Sequence, residues 1–508
     1  MNMKFKFLAA ITMAMGLFSC SNDEGLDNTT PGGQGILGNA ETYATIRIAM
    51  PGGADAMGRA LTRATHPETG NGLEVGTDNE NNFHDIALYF FDGHEKTSTC
   101  KGVLTINSKD FTKQSNEENN VVYTTANPIK VGIEGTDMKV YAVMNGSVSG
   151  ANAGINLETF LEKTVKTDAV FNESKNKFLM TSRTPGDLTI SSKLNSTAET
   201  AAQLQVSVER TAAKITYKAE NITQGQENQY EVNKEGTSDV AATVTLTGYK
   251  LVNLRNDAYY FRKVAGADGN WKTDNTFGNG DQTGNNFVID PYFTAKTVEA
   301  ASKDNFYAEW FGSDQAYAVN SQEYKNLPTE AEHQLLDYCM ENTTTQNAQL
   351  NGYSTGIIFQ ATYAPKEVYV LNKEKNDFET TSYTSGENFY SYANVLYKNK
   401  QDIIDFYEIT ENSELIKEYI GDGNKGATCY YKYWIRHMNN NNNEQMGSME
   451  FAIVRNNVYK LSVSKVNDLG DPTGEIDPNN PDETSKMYLS VKVSILPWVV
   501  RNNEGIEL

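Results

Sequence analysis

The side chains that most often perform chemistry in enzymes are present, but their spacing matches no catalytic or metal-binding motif. None of the five histidines lies at metal-ligand spacing from another histidine, a cysteine or an acidic pair. The sequence has no Gly-x-Ser-x-Gly elbow, phosphate-binding loop or dinucleotide fingerprint. We therefore predict a protein that is not an enzyme and holds no metal ion or cofactor. A secreted hydrolase whose site is assembled from distant residues stays an alternative.

Two clusters could bind a ligand, and both have a simpler interpretation. The aromatic side chains of Tyr430, Tyr431, Tyr433 and Trp434 could stack on sugar rings. Because neighbouring strand residues point to opposite faces, we expect these side chains to divide between two faces and to pack in cores. The acidic and amide side chains at 78–82 could hold calcium, but their spacing matches no defined calcium loop.

The first cysteine has surroundings that indicate a modification. Lys4 and Lys6 precede an apolar run at 7–18, which is too short to span a bilayer and has the proportions of a signal-peptide core. Cys20 directly follows Leu-Phe-Ser, a pattern that resembles a bacterial lipoprotein box. We predict a signal peptide over 1–19 and acylation of Cys20, for example by palmitate. The alternative is an ordinary secretory signal followed by a chance cysteine.

The other cysteines do not form a disulfide scaffold. Cys100, Cys339 and Cys429 allow at most one disulfide and leave one thiol over. None of them occurs in a Cys-x-x-Cys spacing. We expect buried or incidental thiols, and the sequence leaves open whether two of them are joined.

Two arginines near the N-terminus are candidate protease sites. The stretch 54–82 is polar, rich in small residues and long for a loop within a compact domain. Within it, Arg59 and Arg63 each precede an alanine. Exposed basic residues between small neighbours are places where proteases cut.

The composition predicts an all-β, strand-dominated fold. Tyrosine, threonine, asparagine and glycine are abundant, as in strands joined by turns. The clearest short helix is predicted at 156–163, with Asn156 as its N-cap. The net charge is −21 and no basic stripe is present, so we predict no nucleic-acid partner.

Strongly alternating strands lie near both ends of the chain. The first spans 41–50, and its inward residues are predicted to be Ala44, Ile46, Ile48 and Met50. The last spans 487–500, and its apolar residues are Met487, Leu489, Val491, Val493, Ile495 and, after a proline, Trp498. The acidic, proline-containing segment 471–486 before it is predicted to be an extended linker. Such a strand either completes its own domain or reaches another molecule.

The strand-like segments between these ends are spaced for two tandem β-sandwich domains with long loops. We place their boundary at 204, at the start of a long predicted strand over 204–217, although that strand could equally end the first domain. The predicted parts are a signal peptide (1–19), a propeptide with the first strand (20–63), an N-terminal domain (64–203), a C-terminal domain (204–470), a linker (471–486) and a terminal strand (487–508).

Four stretches resemble one protein family. The segments 139–145, 208–215, 454–459 and 489–500 are similar to those of Bacteroidales fimbrillins, above all the Mfa-type stalk subunit of type V pili. The lipoprotein box, first strand, arginine-containing loop and Pro-Trp strand also occur in the family's order. The resemblance covers most of the chain and is diffuse between 265 and 447. It implies transthyretin-like, Greek-key sandwich domains.

The resemblance also implies a function. Such structural pilins are exported as lipoproteins and cut after an arginine by an Arg-specific surface protease. The cut releases the first strand, and the C-terminal donor strand of a neighbouring subunit fills the groove. Here the released piece would run from Cys20 to Arg59 or Arg63, and the inserted piece would be 487–500.

The implied setting is the cell surface. The precursor would be lipid-anchored in the outer membrane, and the mature form would lie in the extracellular fimbrium. The implied partners are other copies of the chain, the tip and anchor subunits, the protease, and host or bacterial surface ligands in adhesion, biofilm formation and host colonisation.

Two alternatives share the predicted fold. One is a monomeric surface lipoprotein that binds glycans or proteins. The other is the tip or anchor subunit of the same pilus, where a tip is expected to lack the donor strand and an anchor to escape the cut. The presence of both features favours a stalk subunit.

Overall fold

The computed structural model of the chain describes residues 37–50, 74–115, 121–172, 177–265, 271–272, 287–298, 323–483 (except 438, 440, 441, 443 and 448) and 488–499. Strands dominate these residues and the helices are few and short, which confirms the predicted β-dominated class. Two separate apolar cores lie in the N-terminal and C-terminal parts, as expected for tandem β-sandwich domains.

The strands of the first part of the chain are β1 (Tyr43–Ala49), β2 (Glu74–Val75), β3 (Asp85–Phe91), β4 (Cys100–Asn107), β5 (Phe111–Ser115), β6 (Val121–Thr125), β7 (Ile129–Lys130), β8 (Gly135–Met144), β9 (Thr164–Lys166), β10 (Phe171–Asn172), β11 (Lys177–Phe178), β12 (Met180–Thr184), β13 (Gly186–Ile190) and β14 (Ala202–Arg210). The helices are α1 (Asp78–Asn81), α2 (Leu157–Leu161), α3 (Thr167–Val170) and α4 (Lys400–Tyr407).

The strands of the second part are β15 (Ala213–Tyr217), β16 (Gln229–Asn233), β17 (Val240–Val252), β18 (Asp257–Tyr259), β19 (Val264–Ala265), β20 (Trp271–Lys272), β21 (Phe287–Val288), β22 (Lys325–Asn326), β23 (Gln334–Cys339), β24 (Gly356–Pro365), β25 (Glu367–Asn372), β26 (Asp377–Ser382), β27 (Phe389–Tyr392), β28 (Val395–Tyr397), β29 (Lys417–Tyr419), β30 (Ala427–Trp434), β31 (Asn457–Val466) and β32 (Leu489–Val499).

The N-terminal domain is built around one ten-stranded sheet. Its order is β4-β3-β8-β12-β14-β1-β6-β5, with β13 on β8 and β7 on β1. Within it, β1 and β14 run parallel and the other described pairs run antiparallel. All ten strands send apolar side chains into one shared core, so the sheet encloses the core from several sides.

Two sheets of the C-terminal domain pack on its main core. The first has the order β2-β32-β31-β15-β23, and the second has the order β16-β17-β24-β30 with β22 on β17. A third sheet, β26-β25-β28-β27-β29, is inserted between β24 and β30, which are themselves neighbours, and has a separate small core with α4. The insertion therefore leaves the two main sheets continuous.

Two segments of the structure differ from the sequence-based predictions. The predicted strand over 204–217 is two strands, because β14 pairs in the N-terminal sheet and β15 pairs in the C-terminal one. The chain thus changes sheets at 211–212 and not at 204. The predicted extended linker lies against the C-terminal domain over 471–483, where Ile476 is buried with Trp434 and Phe451. Backbone hydrogen bonds between Tyr430 and Asp471 and the ion pair of Arg436 with Glu483 hold this polar segment as well.

The predicted short helix is confirmed. Helix α2 begins after Asn156, whose Oδ1 accepts a hydrogen bond from the backbone N–H of Thr159 at 2.8 Å. The apolar side chains of α2 pack on the outer face of β3 and β8. Sequence alone located this element because capping and spacing agree there.

Candidate assembly site

The first strand lies in the middle of the N-terminal sheet. Strand β1 pairs in parallel with β14 along most of its length, and on its other side it pairs with β6 and β7. The predicted inward residues are Ala44, Ile46, Ile48 and Met50, of which the first three are 0% exposed and Met50 is 2% exposed. The predicted alternation is therefore present, and removal of β1 would leave a slot lined by apolar side chains.

Polar groups at both ends of β1 fix its position. The backbone N–H of Tyr43 donates to Asn195 O at 2.9 Å, and that of Met50 donates to Val121 O at 3.0 Å. The N–H of Ile46 donates to the Thr125 hydroxyl at 3.1 Å. These bonds complete the backbone pairing of β1, so its loss would leave buried donors and acceptors unpaired on both neighbours.

Three predicted site residues near the N-terminus lie outside the described residues. These are Cys20, at the predicted lipidation site, and Arg59 and Arg63, at the predicted cuts. Both arginines belong to the undescribed stretch 51–73, which connects Met50 to Glu74. The predictions for them stay predictions.

The last strand is docked on the chain's own C-terminal domain. Strand β32 pairs antiparallel with β31 over almost its full length, with a register shift near Val463. Leu489 and Val493 are buried in the core, whereas Val491 and Ile495 are partly buried against it. Of the other predicted donor residues, Met487 is outside the described residues, and Trp498 is described only as part of the strand. The apolar face therefore packs on the chain's own core here.

A two-residue strand covers the outer side of β32. Strand β2 pairs in parallel with the end of β32, with Glu74 opposite Trp498 and Val75 opposite Val499. The Nζ of Lys460, on β31, lies 3.0 Å from Glu74 Oε2, which ties β2 to the sheet beyond β32. The segment that follows the candidate cleavage sites therefore touches the candidate donor strand.

A buried polar cluster anchors the segment that carries β2. Helix α1 starts with a capping box in which Thr77 N–H donates to Glu80 Oε2 at 2.7 Å. Glu80 Oε1 also accepts from Tyr338 OH at 2.7 Å and lies 3.0 Å from Lys214 Nζ. Burial would raise the pKa of Glu80, but Lys214, Tyr338 and Thr77 together hold that pKa below its ordinary value.

Two arginines are fully buried, and the first of them contacts this cluster. Arg210, at the end of β14, donates through Nε to Glu80 O at 3.4 Å. Arg455 binds Glu341 through two nitrogens at 2.8 and 2.7 Å, and donates to the Tyr260 carbonyl at 2.8 Å. Sequence analysis did not assign these residues a role. The Thr-x-x-Glu pattern at 77–80 is the signal that could have located the cluster.

The aromatic cluster divides between two faces, as predicted. Tyr431 is buried in the main core, and Tyr433 packs against that core. Trp434 is buried on the opposite face of the sheet, where Tyr430 packs beside it. This second face adjoins a cleft of about 930 Å³ that segment 471–483 also lines.

The predicted thiols and metal candidates can be located as well. Cys100, Cys339 and Cys429 are buried and free in the structure. Burial raises the pKa of the Cys339 thiol, which lowers its reactivity. Within the described ranges, no three His, Cys, Asp or Glu side chains are grouped to hold a metal ion, and no helix is long and apolar enough to cross a membrane.

Comparison with known proteins finds a family model that matches the C-terminal part of the chain. Residues 424–504 match the model for "Major fimbrial subunit protein type IV, Fimbrillin, C-terminal". These residues include β30, β31 and β32, the strands that carry the terminal pairing described above. No match was found among curated proteins.

Solved structures of fimbrial proteins are similar over most of the chain. A fimbrilin from Porphyromonas gingivalis W83 is 14% identical, with a TM-score of 0.40, and the match covers 91% of this chain and 99% of that one. A tip fimbrial protein from Porphyromonas gingivalis with a C-terminal truncation is 10% identical, with a TM-score of 0.34, covering 90% and 100%. The assignment below rests on the family match of the C-terminal residues.

Strands β30, β31 and β32 therefore lie in a region that is similar to the C-terminal part of fimbrillins. The match covers residues 424–504 and does not extend to the N-terminal sheet that holds β1.

Proposed function

We propose that the chain is a polymerising stalk subunit of a fimbria. A cut after Arg59 or Arg63 releases the first strand, and the last strand of a neighbouring copy takes its place. The observation that carries the proposal is the position of β1, which is fully paired and buried but is joined to the rest of its domain only through the stretch with the two arginines. A cut in this stretch separates β1 from the chain without breaking any other described strand.

The emptied slot would bind a replacement strand strongly. Strands β14 and β6 would both have an unpaired edge, and an added strand restores the backbone hydrogen bonds while its alternate side chains fill the pockets. Burial of five large apolar side chains contributes roughly 8–15 kcal/mol before ordering costs. The contact joins the front of one copy to the tail of the next, so it propagates as a fibre.

The replacement strand must first leave its own domain. Strand β32 has one long partner, β31, and only the two residues of β2 on its other side. Its side chains at Val491 and Ile495 are partly exposed already. In its own domain β32 has one long strand pairing, with β31. In the slot it would pair with β14 on one side and β6 on the other, and this gain in pairing favours the polymer. Only the two residues of β2 and the ion pair of Glu74 with Lys460 hold the outer edge of β32.

The same proposal assigns the subunit a cellular location and a set of partners. The precursor is held in the outer membrane by a lipid on Cys20, and the cut frees the mature form into the fimbrium. The partners are other copies, tip and anchor subunits, an Arg-specific surface protease, and the host or bacterial surfaces to which the fimbria adheres in biofilm formation or colonisation.

The test uses the purified chain without its signal peptide. Addition of an Arg-specific protease should yield a ladder of SDS-resistant oligomers, and N-terminal sequencing of the products should begin at residue 60 or 64. A chain that ends at Ser485 should be cut equally but form no ladder. The matched control carries Lys at both arginines and should stay monomeric. A ladder from the truncated chain, or from the uncut chain, would refute the proposal.

A second candidate has its own supporting observation. Because β32 is docked on its own core, the chain could also act as a monomeric surface lipoprotein that binds a glycan or a protein. This candidate predicts that the first strand stays attached in cells and that loss of β32 unfolds the C-terminal domain. The N-terminal residue of the surface-exposed form distinguishes the two.

A further inference from the structure

A buried lysine in the C-terminal domain contacts both a carboxylate and a carboxamide. The side chain of Lys296 is 1% exposed, and its Nζ lies 2.5 Å from Asp290 Oδ2 and 2.7 Å from Asn342 Oδ1. A third acceptor, the carbonyl of Thr343, lies at 3.0 Å. Asp290 and Asn342 are themselves 1% exposed. Water is therefore excluded from a group that contains an amine, a carbonyl carbon and a base.

The surroundings of Lys296 favour the neutral form of its amine. Burial lowers the pKa of Lys296 to about 8, although Asp290 acts in the opposite direction. A desolvated lysine with a lowered pKa is a nucleophile, in contrast to the hydrated ammonium ion of a surface lysine. Asp290 Oδ2 is held by the N–H of Thr343 at 2.7 Å, which fixes the base beside the amine.

The carboxamide of Asn342 is fixed in one orientation. Its Nδ2 donates toward Asn253 O at 3.1 Å, Tyr353 O at 2.6 Å and Thr355 Oγ1 at 3.0 Å. The carbonyl of the side chain must therefore face Lys296. A planar amide nitrogen has two hydrogens, whereas three acceptors surround it here. Both hydrogens of the amide nitrogen therefore have acceptors among these groups.

The backbone on both sides of the pair is also fixed. Asn342 and Ile453 exchange two backbone hydrogen bonds, at 3.0 and 2.8 Å. On the other side, Ile289 and Phe293 pack in a small core with residues near 450. The amine and the carboxamide are therefore held together by two separately anchored segments, which is the condition for an efficient intramolecular reaction.

We propose that Lys296 and Asn342 join in an intramolecular isopeptide bond, with Asp290 as the proton carrier. Asp290 accepts a proton from Nζ, and the nitrogen lone pair attacks Cγ of Asn342 to form a C–N bond. Asp290 returns the proton to the carboxamide nitrogen as its bond to Cγ breaks. Ammonia leaves with two hydrogens from the carboxamide and one from the amine, and takes up the remaining proton of the lysine as ammonium. The step requires no oxidant, reductant or added reagent.

The bond would join two segments of the C-terminal domain that lie outside its β-sheets. It links the segment after β21 to the segment after β23, next to the buried Arg455–Glu341 pair. A covalent link that closes a loop removes conformational entropy from the unfolded chain and resists pulling. This inference does not depend on strand exchange, because the bond forms within one copy.

The test is a peptide map of the full purified chain. Trypsin does not cut at an acylated lysine, so the joined product contains residues 273–303 linked to residues 326–366. We expect this product with the summed mass of the two peptides less one ammonia, and fragmentation that places the link at Lys296 and Asn342. Separate peptides with cleavage at Lys296 would overturn the proposal. A link between Lys296 and Asp290, with loss of one water, would overturn it as well.

Two variants test whether loss of the isopeptide bond comes from the reacting groups and not from misfolding of the chain. Lys296→Arg keeps a cation beside Asp290 but cannot form the link, and Asp290→Ala keeps both reacting groups but removes the base. Both are expected to lose the joined product. The control is Lys214→Arg, at the buried lysine beside Glu80, and should retain the joined product in full. Retention of the product in Asp290→Ala would overturn the role of Asp290. The map of the unaltered chain decides the bond itself even if a variant fails to fold.

Discussion

The first and last strands have similar alternating sequences but are held very differently. Strand β1 has neighbours on both sides along most of its length, and its inward side chains are completely buried. Strand β32 has one long neighbour and a two-residue cover, and two of its apolar side chains remain partly exposed. Apolar alternation identifies a strand with a buried face, but the number of partners decides how firmly it is held.

This difference gives strand exchange a direction. A strand with two full partners leaves its sheet only when it is replaced or when its covalent connection is cut. A strand with one partner can detach while most of the domain stays folded, because only one ladder of hydrogen bonds is lost. In the proposed function, β1 is therefore the strand removed by proteolysis, and β32 is the strand that moves.

The largest expected effect compares equivalent isoleucines on the two strands. Ile48→Ala in the uncut chain should lower the free energy of unfolding by about 2–5 kcal/mol, because the cavity lies in a fully buried core. Ile495→Ala should cost about 1 kcal/mol, because that side chain is only partly buried. Urea unfolding monitored by circular dichroism measures both. Thr45→Ala, on the other face of β1, is the control, and equal losses at the two isoleucines would contradict the comparison.

The same contrast explains what the sequence could predict. Alternation at Ala44, Ile46 and Ile48 depends only on local spacing, so both the strand and its buried face were predicted correctly. The cap at Asn156 is local too, and α2 was located from it. Partner number is set by residues far away in the sequence, so the docking of β32 on β31 and the cover by β2 could not be derived from spacing.

The errors have the same origin. The break between β14 and β15 at 211–212 interrupts a continuous apolar pattern, and only the two different sheets reveal it. Segment 471–483 is polar on average, yet it docks through the buried Ile476, through backbone bonds to Tyr430 and through the Arg436–Glu483 ion pair. The polar contacts of Glu80 and Lys296 join residues many positions apart, so neither cluster has a local motif beyond the capping box. Candidate sites near the termini were predicted from motifs, whereas buried polar clusters require the fold.

An effect of intermediate size on stability is expected when acid protonates Glu80. This residue belongs to the cluster near β2, the strand that covers β32. Glu80 anchors the segment that carries β2, and Lys214 and Tyr338 outweigh burial to lower its pKa. Its carboxylate therefore contributes stability above the unfolded pKa of 4.5, and this contribution is lost as the pH falls through the lower folded value. We expect Glu80→Gln to be less stable than the unaltered chain at neutral pH, and the difference to shrink below pH 4.5.

Unfolding in urea at several pH values measures this difference. Glu379→Gln, at an exposed ion pair with Lys375 in the inserted sheet, is the control and should show little difference at any pH. A Glu80→Gln deficit that stays constant from neutral to acid pH would show that the carboxylate charge does not hold the segment.

The smallest expected effect concerns the cover on β32. The ion pair between Lys460 and Glu74 ties β2 across the last strand, and both side chains are about a quarter exposed or less. Such a pair contributes about 1 kcal/mol or less, so Glu74→Gln should change the free energy of unfolding very little. It should nevertheless increase hydrogen exchange at the β32 amides and leave the β1 amides unchanged, because β2 pairs with the last strand and lies in a different sheet from β1. After the Arg-specific cut, it should also speed the appearance of SDS-resistant oligomers. If exchange rises equally in both strands, the variant has loosened the whole chain and β2 is not a specific cover.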